Sequence, residues 1–392
     1  MKRVFVLVLG FSLLLSGCVG KSSEKKPTTH KNTDFGIWIS YSEMDSILKS
    51  EKGIEQELSE LINNLNSLEI KNVYLHIRSH ADSLFKSEYY PLRESAKLYD
   101  FDVFEYFIDK LHKNDIKVHA WINPFRVSSN SEDVNVLDAE SPAYKWLKDE
   151  NSENDINVCF WNGIYLNPAS YEVRSLIING IREVVKNYDV DGVSFDDYFY
   201  PTVDTGFDSN SYSLYTSATE NPLSLENWRR TNINSLISGV SSAIKSQDRD
   251  IIFSVSPAAD IDKNYSQYYA DVRYWIESGF VDEIIPQLYF GFDYPDKKFQ
   301  FESLVDEWQS LAELNDNVKL SVGLASYKID TSSSPDNEEW SKSNDIISRQ
   351  AEICIKNSRI SGCVLFSYSS VFSPDEANTK ERNNLKTVIE KL

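Results

Sequence analysis

The feature that most constrains the fold is an alternation of short strand-like runs with longer helical segments, repeated along the chain. The helical segments carry apolar residues three and four positions apart. Alternation of this kind is typical of a parallel sheet covered by helices. The strand-like runs are residues 35–40, 73–78, 117–123, 192–198, 251–257, 284–290, 319–325 and 362–370. The helical segments are residues 55–68, 102–114, 171–187, 225–245, 271–279, 299–314 and 344–356.

Eight such runs predict a closed (β/α)8 barrel, or TIM barrel, over residues 34–392. The alternative is a doubly wound open sheet, which usually carries a glycine-rich phosphate turn after its first strand. Residues 38–43 contain no glycine, so the barrel is favoured. Long loops follow the third, fourth and seventh runs. We expect these loops to build walls above the carboxyl ends of the strands, where barrel active sites lie. They span residues 124–170, 198–224 and 326–343.

The amino terminus resembles a targeting signal. Lys2 and Arg3 precede an apolar run, 4–15, that is too short to span a bilayer. Residues 15–18, Leu-Ser-Gly-Cys, resemble a bacterial lipobox. Residues 1–17 are therefore predicted to be a lipoprotein signal peptide, with Cys18 as the lipidated first residue of the mature protein. The polar residues 18–33 are predicted to be a flexible tether. The expected location is the extracytoplasmic side of the cell envelope, anchored to a membrane through Cys18.

Composition narrows the class of ligand. A net charge of −20 argues against nucleic acid as a partner. Aromatic residues make up 13% of the chain, and many lie in predicted loops, which suits the flat faces of sugar rings. The cysteines after Cys18 lack metal-ligand spacing; Cys354 and Cys363 could pair or remain thiols.

Residues 191–201, DGVSFDDYFYP, contain the main catalytic candidate. If Val193 and Phe195 face the helices, then Ser194, Asp196 and Tyr198 face the other way. A buried carboxylate is costly unless it has partners or a function. A helix cap is the alternative role for such an Asp, but no helical period follows. We therefore predict that Asp196 is catalytic.

Polar and aromatic residues also mark the ends of the other predicted strands. Two carboxylates in an aromatic cleft are what glycoside hydrolysis requires, since one protonates the leaving oxygen and the other attacks or activates water. The candidates for the second carboxylate are Asp197, Glu43 and Asp82. The predicted substrate-binding residues are Arg78, His76, His119, Trp121, Asn123, Arg126, Tyr198, Tyr200, Trp228, Gln287, Tyr289 and Tyr368. The chain has no phosphate loop or nicotinamide fingerprint, and neither a cofactor nor a metal is predicted.

Seven short runs carry a family resemblance. They are residues 73–92 (VYLHIRSHADSLFKSEYYPL), 119–126 (HAWINPFR), 165–170 (YLNPAS), 191–201 (DGVSFDDYFYP), 227–232 (NWRRTN), 253–258 (FSVSPA) and 286–290 (PQLYF). In this order they resemble glycosyl-hydrolase-like family 10, a group of bacterial lipoproteins and secreted proteins, over about residues 34–370. The resemblance implies a (β/α)8 glycosidase acting on cell-wall glycan, notably peptide-free peptidoglycan strands. It also selects Asp196.

Other mechanisms and functions stay open. An N-acetyl group of the substrate could act as the nucleophile, with Tyr289 orienting it beside a strand-four acid and a second Asp. His76, His80, His119 and Asp82 could instead bind a metal, as in a metal-dependent polysaccharide deacetylase. A third possibility is a non-catalytic carbohydrate-binding wall lipoprotein. Arg78 and Asn123 are expected to hold the substrate or orient a carboxylate, which argues against the last possibility.

Overall fold

The computed structural model describes residues 33–332 and 338–391. The predicted signal peptide, Cys18 and all of the predicted tether except Thr33 lie outside the described residues. The strands are β1 Asp34–Ile39, β2 Asn72–Arg78, β3 Lys117–Ile122, β4 Arg126–Ser129, β5 Val158–Phe160, β6 Gly163–Leu166, β7 Gly192–Phe195, β8 Ile252–Val255, β9 Glu283–Ile284, β10 Lys319–Leu324 and β11 Ile360–Leu365.

Helices lie between and around these strands. They are α1 Tyr41–Leu48, α2 Ile54–Ser67, α3 Val103–His112, α4 Pro142–Lys148, α5 Tyr171–Asn187, α6 Ser209–Ala218, α7 Leu225–Gln247, α8 Ile261–Ser266, α9 Val272–Glu277, α10 Phe301–Ala312, α11 Glu339–Lys342, α12 Ile346–Lys356, α13 Tyr368–Val371 and α14 Glu376–Ile389. Within residues 33–332 and 338–391, none of them combines the length and hydrophobicity that a membrane span requires.

Eight parallel strands close into a barrel in the order β1-β11-β10-β9-β8-β7-β3-β2. The predicted (β/α)8 barrel is confirmed. Strand residues that face outward, such as Val193 and Phe195, pack against the apolar faces of the helices in one continuous core. Burying an aliphatic or aromatic side chain of this size stabilises the fold by about 1.5–3 kcal/mol. Repeated around the ring, this packing holds the strand ends in fixed positions.

A second, smaller cluster fills the inside of the barrel. It consists of Trp38, Tyr74, Trp121, Ile285 and Val364, one from each of five strand regions, with Phe366 packed against it. Barrel interiors are filled by layers of side chains rather than by an open pore. These aromatic rings therefore form the floor beneath the carboxyl ends of the strands.

The strand predicted at 284–290 is shorter than expected. Only Glu283–Ile284 form a regular ladder, and Gln287 then makes isolated bridges to Ala258 and Gly323. Pro286 has no backbone N–H to donate, so the ladder stops beside it. The chain remains at the barrel wall, and Gln287 is positioned at the rim.

The predicted loop at 124–170 is only partly irregular. It contains α4 and an antiparallel sheet of three strands in the order β4-β6-β5. Arg126 begins β4 and is paired with Tyr165 of β6, which fixes its backbone beside the rim. The loop predicted at 198–224 contains α6, and that at 326–343 contains α11, with 333–337 outside the described residues. The cysteines in the described part, Cys159 included, are free and buried, so Cys354 and Cys363 are not bridged here.

Candidate active site

A cavity of about 310 Å³ lies at the carboxyl ends of the barrel strands. This volume falls in the range of about 300–1,000 Å³ that is usual for ligand sites. The predicted site residues that line it are His76, Trp121, Arg126, Asp196, Tyr198, Gln287 and Tyr289. The cavity is also lined by residues outside the predicted set, namely Trp38, Ser40, Tyr41, Ser256, Tyr327 and Phe366.

Asp196 follows β7 directly and faces the cavity with only 4% of its surface exposed. Trp121 Nε1 donates a hydrogen bond to its Oδ2 at 3.1 Å, and Asn123 Nδ2 donates to the same oxygen at 3.4 Å. Oδ1 has no hydrogen-bond partner of good geometry among the described residues. Burial, and then the charge of Asp197, raise the pKa of Asp196 to about 7. Both protonation states are therefore accessible near neutral pH.

Asp197 lies at the same end of the barrel. Gln287 Nε2 donates to its Oδ1 at 3.2 Å and to the carbonyl oxygen of Ser256 at 3.1 Å. Burial raises the pKa of Asp197 to about 6, against the opposing effect of the Gln287 hydrogen bond. Strict strand alternation would place Asp197 opposite to Asp196. However, β7 ends at Phe195, so alternation no longer applies and both carboxylates are held at the rim.

Aromatic rings form the floor and one wall of the cavity. His76 stacks on Trp121 with ring centroids 3.6 Å apart, and Tyr289 stacks on Phe366 at 5.9 Å. Burial and the charges of Arg93 and Arg126 hold the pKa of His76 well below its ordinary value, so its ring is neutral and part of the apolar surface. Such flat faces suit the apolar faces of sugar rings, and they also exclude water from Asp196.

Arg126 lies in the cavity wall, close to two tyrosines. Its guanidinium is 5.1 Å from the ring centroid of Tyr198 and 6.0 Å from that of Tyr41. Its Nε donates to the carbonyl oxygen of Ser79 at 3.0 Å. Its amide N–H donates to Asn123 Oδ1 at 3.1 Å, so one asparagine links this wall to Asp196.

Arg78 does not line the cavity, contrary to the sequence-based expectation. Its guanidinium lies 4.3 Å from the Tyr90 ring centroid, outside the barrel, where Gly180 of α5 leaves room for it. The register of β2 shifts between His76 and Arg78, and this irregularity breaks the alternation that would have turned Arg78 inward.

His119 also lies away from the cavity. It faces the inside of the barrel but one layer below Trp121, where it stacks on Tyr74 at 4.5 Å and its Nε2 is 3.1 Å from Asn72 Oδ1. Burial lowers the pKa of His119 to about 4. A second cavity of about 310 Å³ surrounds it at the amino ends of the strands. Since barrel chemistry occurs at the carboxyl ends, the cavity around Asp196 is the candidate active site.

Two of the three candidate partner carboxylates have structural roles. Glu43 caps α1 through the amide of Ser40, and its other oxygen accepts from Ser367 Oγ and the amide of Ser369. Asp82 is paired with Arg93 at 2.8 Å. Burial alone would raise the pKa of Asp82, but Arg93 and two backbone amides outweigh it and hold that pKa well below its ordinary value. Neither carboxylate lines the cavity. Asp197 is not a lining residue either, but Gln287, which does line the cavity, donates to it at the rim, so Asp197 remains the candidate partner of Asp196.

Three aromatic residues predicted to contact the substrate also lie outside the cavity. Tyr200 is buried beside Arg229, and Trp228 packs against Tyr212 and Tyr215. The hydroxyl of Tyr368 accepts from Asn64 Nδ2 at 2.9 Å, behind the barrel wall. An aromatic residue near a strand end has the same sequence signal whether it packs in a core or faces a ligand.

The metal-dependent alternative required His76, His80, His119 and Asp82 to converge. The structure places His119 one layer below, and it pairs Asp82 with Arg93. Among residues 33–332 and 338–391, no three His, Cys, Asp or Glu side chains are grouped so that they could share a metal ion. The four residues proposed as metal ligands therefore do not converge on one position.

A (β/α)8 barrel with a buried carboxylate in an aromatic cavity at the carboxyl ends of its strands, and a second carboxylate beside it at the rim, defines a glycoside-hydrolase-like barrel. The chain belongs to the family described as glycosyl hydrolase-like 10, whose family model matches residues 35–342. The predicted family is confirmed.

Two relatives agree with this assignment, and one solved structure shares the fold. The chain is 31% identical over 333 residues to glycosyl hydrolase YngK of Bacillus subtilis, which covers 78% of this chain and 63% of that protein, less than two thirds of its length. It is 29% identical over 339 residues to glycosyl hydrolase DigH of Escherichia coli, covering 80% and 75%. The glycoside hydrolase domain of PgaB (BpsB) from Bordetella bronchiseptica shares the fold, with a TM-score of 0.60 at 14% identity over 90% of this chain and 99% of that chain.

Proposed function

We propose that this protein is a glycoside hydrolase that cleaves N-acetylated glycan of the bacterial cell wall. The observation that carries the proposal is the environment of Asp196, a buried carboxylate in an aromatic cavity whose Oδ2 accepts from two donors and whose raised pKa keeps a proton available near neutral pH. Membership of a glycosyl hydrolase-like family and the names of the relatives support a glycosidic substrate.

Asp196 is the general acid in this proposal. With a pKa of about 7, it is substantially protonated at neutral pH. Because Trp121 and Asn123 both donate to Oδ2, Oδ1 is the oxygen assigned in this proposal to carry the proton to the glycosidic oxygen. Raising the pKa of a carboxylic acid by burial is how glycosidases keep a proton donor near neutral pH.

The second role falls to Asp197, beside an acetamido group of the sugar. In a substrate-assisted step, the acetamide oxygen forms a bond to the anomeric carbon while the glycosidic C–O bond breaks and the leaving oxygen takes the Asp196 proton. The Asp197 carboxylate stabilises the acetamide N–H as positive charge develops. Asp196 then takes a proton from the water that attacks the same carbon, and the cyclic intermediate opens to the sugar.

The experiment is hydrolysis of purified peptide-free glycan strands, with the products separated by chromatography and identified by mass spectrometry. Asp196→Asn should lower turnover by about 10²–10⁴-fold, the usual contribution of a general acid. Asp316→Asn, an exposed carboxylate change away from the cavity, is the matched control and should retain full activity. A folded Asp196→Asn variant with wild-type turnover would reject the proposal. Absence of product from the wild-type protein would favour a wall-binding lipoprotein instead.

The location is a separate part of the proposal. A lipid on Cys18 would hold the barrel at the outer surface of a membrane, at the end of the polar stretch 18–33. The support is the order of charged, apolar and small residues before Cys18. In cell fractionation, Cys18→Ala should move the protein from the membrane fraction to the soluble one. Unchanged membrane association would exclude this anchor.

A further inference from the structure

The guanidinium of Arg126 is a positive charge in the cavity wall without a carboxylate partner in the described part of the chain. Its Nε is engaged with the carbonyl oxygen of Ser79, and this is its one side-chain hydrogen bond among those residues. Arg93 and Arg229, which are more deeply buried, each pair with an aspartate. Arg126 is half-buried, and its two terminal nitrogens remain available at the cavity.

The position of this guanidinium is fixed before any ligand arrives. The rings of Tyr198 and Tyr41 lie beside it, with their centroids 5.1 and 6.0 Å from the guanidinium. The hydrogen bond from Arg126 Nε to the carbonyl oxygen of Ser79 holds the side chain, and the hydrogen bond from its backbone amide to Asn123 Oδ1 holds the backbone. A pre-positioned guanidinium loses little conformational freedom when it binds an anion.

No side chain of the described residues neutralises Arg126 inside the cavity. Asp196 is the one carboxylate among the cavity-lining residues, and its oxygens are not within ion-pairing distance of Arg126. The charge of Arg126 still lowers the pKa of Asp196, against the larger opposing effect of burial, so the two groups share one electrostatic environment. An anionic group supplied by the ligand would complete this arrangement.

We propose that Arg126 binds a carboxylate carried by a sugar of the substrate, and that the site therefore selects acidic N-acetylated glycans over neutral ones. This inference rests on the proposed glycosidase function and deepens it. The two terminal nitrogens of a guanidinium form a planar fork that matches a carboxylate. The tyrosines beside it suit the sugar ring to which that carboxylate is attached. The carboxylate could belong to a lactyl ether on an amino sugar or to a uronic acid.

The test measures binding rather than cleavage. In the Asp196→Asn variant, the affinity for four oligosaccharides is measured by calorimetry. They are an amino-sugar oligomer with free lactyl carboxylates, the same oligomer with those carboxylates converted to methylamides, an oligomer alternating N-acetylglucosamine with glucuronic acid, and a neutral N-acetylglucosamine oligomer. At least one acidic oligomer should bind about 10- to 100-fold more tightly than the methylamide and neutral forms, as expected for a hydrogen-bonded charge pair.

Substitutions then assign the preference to one residue. Adding Arg126→Gln should abolish the difference between acidic and neutral oligomers, whereas Arg126→Lys should restore part of it because the charge remains without the fork. Arg230→Gln is the matched control, since Arg230 is also half-buried and lies 4.0 Å from a tyrosine ring centroid, that of Tyr265, but outside the cavity. It should leave the preference unchanged.

The outcomes separate this inference from the proposed function. Equal affinity for all four oligomers would overturn it, as would an Arg126→Gln variant that loses affinity for every oligomer by the same factor. The uronic and lactyl oligomers identify which source of carboxylate is used. A preference that holds while the wild-type protein cleaves none of the oligomers would reject the glycosidase proposal and leave the role of Arg126 standing.

Discussion

The ionised form of Asp196 should destabilise the folded protein, and Asp196→Asn should remove that effect. Burial, followed by the charge of Asp197, raises the pKa of Asp196 from its ordinary value near 3.8 to about 7. A difference of this size corresponds to about 4 kcal/mol in favour of the protonated form in the folded state. Asparagine resembles that protonated form, because its amide oxygen can still accept from Trp121 and Asn123.

The sign of the pH dependence follows from the direction of the pKa change. Below the pKa of the unfolded chain, both states hold the proton and ionisation costs nothing. As pH rises towards the folded-state pKa near 7, the unfolded chain ionises first and the folded protein loses relative stability. Above that pKa the loss is complete. The free energy of unfolding of Asp196→Asn should therefore exceed that of wild type by about 2 kcal/mol at about pH 5.5 and about 4 kcal/mol at about pH 8.5.

Urea denaturation of both proteins at the two pH values measures this difference directly. Comparing variants at the same pH cancels the titration of every group that the substitution leaves unperturbed. Asp316→Asn should show no such pH-dependent gain, because its side chain is exposed. A gain of equal size at both pH values, or a loss of stability at the higher one, would refute the burial argument for Asp196. If Asp196→Asn is more stable than wild type but has lost turnover, Asp196 follows the common trade-off in which a buried catalytic charge lowers stability.

Two other substitutions test neighbouring parts of the site. Trp121→Phe removes the hydrogen bond to Asp196 Oδ2, so the pKa of Asp196 should rise further, and the alkaline limb of the pH profile of turnover should move up by less than about one pH unit. An unchanged or lowered limb would mean that this bond does not stabilise the carboxylate. His119→Gln should leave the KM for glycan unchanged, because His119 lies at the other end of the barrel, and should cost about 1 kcal/mol of unfolding free energy through its lost stacking on Tyr74. A several-fold rise in KM would show that His119 contributes to substrate binding and would contradict this placement.

Hydrophobic periodicity was sufficient to predict the barrel, because each strand and each long helix must bury one face. It also oriented Asp196 correctly, since Val193 and Phe195 can only face the helices. The same rule could have found Trp38 as a cavity residue. In β1 the residues Phe35, Ile37 and Ile39 face outward, so Trp38 and Ser40 share the inward phase. Trp38 is absent from the predicted site because an apolar side chain gives no separate signal for a ligand site.

Other placements depend on features that periodicity does not contain. Inward phase does not tell which layer of the barrel a residue occupies, so the sequence predicts His119 beside Trp121, whereas the structure places it one layer below. A register shift in β2 turned Arg78 outward, and no residue of the local sequence marks that shift. The end of β7 at Phe195 brought Asp197 to the rim, where alternation had separated it from Asp196. The differences at Arg78 and Asp197 arise where the regular strand geometry is interrupted or ends.

The acidity of Asp196 and the walls of the cavity have a common origin. Trp38, Trp121 and Phe366 pack as the floor of the barrel, and any sugar above them would rest on the same apolar surface that excludes water from the carboxylate. A substitution that opened this floor to water would lower the pKa of Asp196 and weaken stacking on the sugar together. The positive charge of Arg126 acts in the opposite direction and lowers the same pKa. A carboxylate bound to Arg126 would offset that charge, so binding an acidic sugar would help Asp196 to retain the proton that hydrolysis requires.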